Sequence, residues 1–99
     1  MNFSFHPEAE AEFNGAVKYY EDIEQVLGFD FATEVYSTIQ HIVSLPKAWP
    51  IIEMDIHRCL VNRFPYGVLY SVEDNEIYIV AIMHFHRHPD YWKHRMFKI

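Results

Sequence analysis

Ninety-nine residues, 51% hydrophobic and 17% aromatic, suffice for one packed core and are too apolar for a disordered chain. No run approaches the about 18 apolar residues that cross a bilayer, the acidic start MNFSFHPEAEAEF is no secretory signal, and the single cysteine, Cys59, has no internal partner; the expectation is one domain, residues 1–99, in a reducing cytoplasm away from membranes. Net charge is −6 but uneven: residues 1–84 hold thirteen acidic against four basic side chains, and residues 85–99 hold Arg87, Lys93, Arg95 and Lys98 against Asp90, so general nucleic-acid binding is disfavoured.

In residues 2–6, Phe3 and Phe5 alternate with polar positions, the pattern of a short strand at a sheet edge. Pro7 suits the first position of a helix, and Glu8 and Glu10 complement its dipole. Ala9, Phe13, Ala16, Tyr20, Ile23 and Leu27 then recur every three or four residues as one apolar stripe. Gly15 is a mild weakness inside that helix or a point of close approach. Gly28 reads as its left-handed stop and Asp30 as the cap of a second helix. Phe31, Val35, Ile39, Ile42 and Leu45 give the second stripe, which Pro46 ends. So short a link implies an antiparallel helical hairpin, whose two stripes are satisfied only across one face of a sheet.

Residues 46–57 read as a connection, with Trp49 as a plug against the helix ends. Three strand-like runs follow: 58–64, 67–73 and 76–84. They are separated by Pro65-Tyr66-Gly67 and by an Asp74-Asn75 turn whose residues tolerate positive φ. The last run is apolar on both faces, as in a central strand covered on both sides. Pro89 can open a short final helix. The expected class is therefore α+β: β-α-α-β-β-β with a short tail or helix, an antiparallel sheet covered on one face by an N-terminal helical hairpin.

No phosphate loop, G-x-S-x-G, C-x-x-C or H-E-x-x-H occurs. His84, His86 and His88 alternate as metal ligands on one strand face would, but Pro89 and the polar run end the strand there, so no metal or cofactor is expected. His84, His86, Arg87 and Tyr91 can be read as an acid–base and phosphate-holding set. Residue types alone favour a structural reading over that one, with Tyr91 and Trp92 closing the core and Arg87 paired to an acid.

The order of these pieces resembles the RelE/ParE superfamily of type II toxin–antitoxin toxins, also labelled plasmid stabilisation proteins. The likeness rests on Ala9, Glu10, Glu12, Phe13, Tyr19 and Tyr20, then on Leu27-Gly28-x-x-Phe31 and Pro46-x-x-Trp49-Pro50. It continues through Arg58, Phe64-Pro65-Tyr66 and Tyr70 to His84, His86, Arg87, Pro89, Tyr91 and Trp92, and so spans almost the whole chain. It implies the fold read above and a growth inhibitor neutralised by a cognate antitoxin, with a homodimer left open. Two activities divide that superfamily. RelE-like members cut mRNA on the ribosome without a metal, for which Arg58, Arg87 and Tyr91 would be the catalytic residues here. ParE-like members bind DNA gyrase, for which Arg87, Tyr91, Trp92, Lys93 and Arg95 would be the contact surface. Gly67 stands where the nucleases carry an arginine, and Lys47 and Arg58 are all that is left of their basic cluster. The resemblance is therefore closer to the ParE-like branch.

Overall fold

The computed structural model describes residues 1–96. A short strand β1 (Asn2–Phe5) leads into helices α1 (Pro7–Ile23) and α2 (Gln25–Ser44), followed by strands β2 (Ile51–Glu53), β3 (Ile56–Leu60), β4 (Tyr66–Glu73) and β5 (Glu76–His84). The described residues close with a 3-10 turn over Lys93–Met96. The five strands form one sheet in the order β1-β5-β4-β3-β2. The α+β class is as expected, and β1 lies at an edge, but it runs parallel to β5, so the sheet is mixed rather than wholly antiparallel. The chain leaves β1 and returns through the whole hairpin and meander before it pairs, and strand direction after so long a path is a tertiary outcome. The expected connection 46–57 also contains β2, a three-residue strand exposed throughout and thus without the alternation that marks a strand in sequence.

The hairpin turns earlier than its glycine implied. The break is Glu24, in extended conformation (φ −158°, ψ 130°), while Gly28 lies inside α2 and no described glycine has positive φ. Gly28 serves close approach instead: a Cβ there would meet Glu21 Cβ at 2.8 Å and the Val17 carbonyl oxygen at 2.9 Å. Asp30 is consequently not a cap but lies a turn inside α2, where it pairs with Arg63 at 3.5 Å. Gly15 has open space around its Cβ position, so close approach does not explain it. Asp74 and Asn75 form the β4–β5 turn with φ of 48° and 64°, as expected of that pair.

The main core lies between hairpin and sheet. Phe13, Phe31, Val35, Ile39 and Ile42 of the helices meet Cys59, Val68, Tyr70, Ile77, Ile79 and Ile82 of the strands. Trp49 packs half-buried against it, and the Tyr70 hydroxyl donates to the Pro46 carbonyl at 2.7 Å. Ile23, counted in the α1 stripe, is exposed beside the hairpin's turn. A second core covers the opposite sheet face, where Trp92 closes over Ile56, Leu69, Val80 and Ala81. This is why β5 reads apolar on both faces. A bulge adds to it: Leu69 pairs with Ala81 but Tyr70 with Ile79, so Val80 is the extra residue, and Val80 and Ala81 both belong to the Trp92 core.

Candidate functional site

The tail after β5 is attached through one carboxylate. β1 pairs with β5 only as far as Ile79, and past that point, at the bulge, the β5 backbone finds side chains instead of a strand. Ile82 N–H donates to Glu12 Oε1 at 3.1 Å, and the Val80 carbonyl accepts from Arg95 Nη1 at 3.0 Å. Arg95 and Glu12 join each other in a two-pronged pair, Nη1–Oε1 at 2.8 Å and Nη2–Oε2 at 3.1 Å. The Tyr91 hydroxyl donates to Glu12 Oε2 as well. One α1 residue thus accepts from four donor groups, three of them on the tail residues Tyr91 and Arg95. Burial works against the Arg95 charge, but its bond to Glu12 and the charges of Glu12, Tyr91 and Glu8 together outweigh it, and its pKa stands above the ordinary guanidinium value. Burial, with the bond to Glu12, likewise lifts Tyr91 well above the ordinary phenol.

Further contacts fix the same segment. Lys93 bridges Glu53 at 2.8 Å and Asp90 at 2.9 Å, and His94 meets Glu8 at 2.9 Å. That bond and the neighbouring cations hold the Glu8 carboxyl below its usual range. In the loop before the tail, His84 Nδ1 accepts the His86 N–H and His88 Nδ1 accepts the Asp90 N–H, at 3.0 and 3.1 Å. Arg87 rises between these two turns and lays its guanidinium on the Tyr91 ring, 4.0 Å from the centroid.

Between this loop and α1 opens a cleft of about 220 Å³, walled by Glu12, Gly15 and Tyr19 on one side and by Tyr66, His84, Arg87 and Tyr91 on the other. It brings together Arg87 and Tyr91, two of the residues expected from sequence. Lys93 is partly accessible but held by two acids. Trp92 and Arg95, expected on the contact surface, are sealed inside, because the ring is needed to close the second core and the guanidinium to neutralise Glu12. Lys98 lies outside the described residues. Arg58, expected beside Arg87 and Tyr91 in a nuclease set, points from the other sheet face into a separate groove with Gly67, Leu69, Met83 and Phe85, because Cys59 next to it takes the helix side. No cluster of three or more His, Cys, Asp or Glu among the described residues could hold a metal ion.

By residue type Glu12 reads as part of the wet face of α1 and Tyr66 as part of the break before β4, and Tyr19 enters only through the resemblance; the structure instead draws Glu12 inward, its side chain 16% exposed. Glu12 falls on the inner side of α1, between Ala9, Phe13 and Ala16, and an acid so close to an apolar stripe was the available sign of a buried partner.

Against solved structures the chain is similar to a chain of the chromosomal ParDE TA system from P. aeruginosa, with a TM-score of 0.62 over 85% of this chain and 95% of that one. The fold is ParDE-like. Sequence identity is 16%, so the likeness is one of fold. No family model matches the sequence, and no curated protein matches it. Within the ParDE-like fold no described helix is long and apolar enough to cross a membrane.

Proposed function

We propose that this chain is the toxin of a type II toxin–antitoxin module, a cytoplasmic growth inhibitor held in check by a cognate antitoxin. Its action is contact with a macromolecular target, in the ParE-like manner, with DNA gyrase favoured. The observation that supports this most is the arginine on an aromatic platform at an accessible cleft, Arg87 over Tyr91, in a ParDE-like fold. Arginine and aromatic side chains held rigid by their surroundings make efficient interface anchors. Lys93 extends the surface, and Trp92 and Arg95 hold it from below. Supercoiling by purified gyrase falls as the protein is added at micromolar concentration; unaffected supercoiling would refute the target.

The RelE-like alternative, a ribosome-dependent mRNA endonuclease, has less support. Arg58 and the Arg87–Tyr91 pair line different clefts, and Tyr91 is bound to Glu12 with its proton held tightly, a poor acid or base near neutrality. Mapping mRNA ends on programmed ribosomes reads that alternative directly. A chain that binds antitoxin without inhibiting growth is the third outcome, seen as normal growth on induction.

A further inference from the structure

We infer that the cleft between α1 and the β5–tail loop is a carboxylate-binding site, which takes an aspartate or glutamate side chain, or a terminal carboxylate, of a partner polypeptide. Its polar groups are unequal in a telling way. Glu12, the acid in the wall, is already engaged by Arg95, Tyr91 and the Ile82 N–H, so its charge is compensated inside the protein. Arg87 has no acidic partner among the described residues, and its guanidinium is held in place by the Tyr91 ring beneath it. His84 Nδ1 accepts the His86 N–H, which puts the proton of the neutral imidazole on Nε2 as a donor. The imidazole also meets the Tyr66 ring edge-on, with centroids 5.0 Å apart. The Tyr19 and Tyr66 hydroxyls, on the cleft wall, have no hydrogen-bond partner among the described residues.

The cleft therefore offers an unpaired guanidinium, an imidazole N–H and two phenols, and its acid is already occupied. That set recognises an oxyanion, and a guanidinium matches a carboxylate with two parallel hydrogen bonds. Size and field narrow the choice. About 220 Å³ is below the roughly 300–1,000 Å³ of sites that enclose a whole small molecule, and suits one side chain. The net charge of −6 repels an extended polyanion, whereas a single carboxylate on a polypeptide meets mainly the local field of Arg87. That the carboxylate arrives on a polypeptide rests on the toxin–antitoxin reading; the carboxylate chemistry does not.

The test is an NMR titration of the full chain, reading the His84 imidazole, the Arg87 Nε–H and the Tyr66 ring. Three probes are used: the capped tripeptide Ala-Glu-Ala, its neutral twin Ala-Gln-Ala, and a short oligouridylate. The glutamate peptide is expected to shift all three signals at millimolar concentration. The glutamine twin, and the Arg87→Gln variant with the glutamate peptide, bind about tenfold or more weakly, as loss of a charged hydrogen-bond pair entails. Arg58→Gln, on the other sheet face, leaves binding unchanged. Equal binding of the two peptides, indifference to Arg87→Gln, or tighter binding of oligouridylate than of the glutamate peptide overturns the inference. Growth on induction is scored separately. A chain that binds the glutamate peptide without arresting growth keeps the site and loses the toxin reading; a toxic chain indifferent to the peptide keeps the toxin reading and loses the site.

Discussion

Replacing Glu12 by glutamine removes one charge and half the acceptor capacity from the point where the tail meets the body. The Glu12 side chain is 16% exposed and that of Arg95 4%, so the pair is screened from solvent and the guanidinium left behind has little access to water. Removing one partner of a buried ion pair costs about 3–5 kcal/mol. Glutamine keeps one acceptor oxygen for Arg95, Tyr91 or Ile82 but cannot serve them all, and its own N–H groups face donors, so the lower end, about 3 kcal/mol, is expected. At about 4–8 °C per kcal/mol for a domain of this size, Tm falls by roughly 12–24 °C. Thermal unfolding followed by far-ultraviolet circular dichroism measures the drop, and urea titration gives the free energy. A cycle with Arg95→Met separates the pair from general damage: the double variant loses less than the two single losses together, by about 1–3 kcal/mol. A Glu12→Gln protein within about 1 kcal/mol of wild type, about 4–8 °C in Tm, or strictly additive losses, would refute the claim that this carboxylate anchors the tail.

The two helix glycines should respond in opposite directions, measured by the same urea titration. Gly28→Ala drives a Cβ into Glu21 and the Val17 carbonyl and costs about 1–3 kcal/mol, whereas Gly15→Ala meets nothing and gains up to about 1 kcal/mol. Trp92→Ala empties the second core and costs about 3–5 kcal/mol, whereas Arg87→Gln, at an exposed position, changes stability by about 1 kcal/mol or less and, on the proposed gyrase reading, removes the inhibition of supercoiling. Burial, with a smaller push from Cys59, raises the Tyr70 phenol to about 12, above the 10 of an ordinary phenol. Its contribution is full below pH 10 and is lost as pH rises through about 12, because the unfolded chain ionises first. Stability measured across that window falls, and Tyr70→Phe makes the fall shallower at the cost of leaving the Pro46 carbonyl without its donor. The buried Cys59 thiol, raised to about 11, should react with iodoacetamide at neutral pH far more slowly in the native protein than in urea.

By itself the sequence determined what is local or periodic. The two apolar stripes marked the helices, alternation and turn residues marked β4 and β5 and the second half of β3, which begins at Ile56 and ends at Leu60 rather than running over 58–64, and the doubly apolar run of β5 already required covers on both faces. Only the tertiary structure decided where these covers came from and what stood at the cleft. A spacing that stays in phase through Ile23 and Leu27 hides a break at Glu24, although Ile23 itself is exposed and only Leu27 packs on the core, and Gly28 looks the same in sequence whether it ends a helix or lets another pass. Arg95 and Glu12 are 83 residues apart in the chain, and nothing near either one names its partner. Whether an arginine or a tryptophan on a polar tail faces solvent or is sealed depends on that pairing. Long-range contacts between single charged side chains leave no periodic trace, so Arg87 stayed at the surface and Arg95 went inside although the residue types read alike.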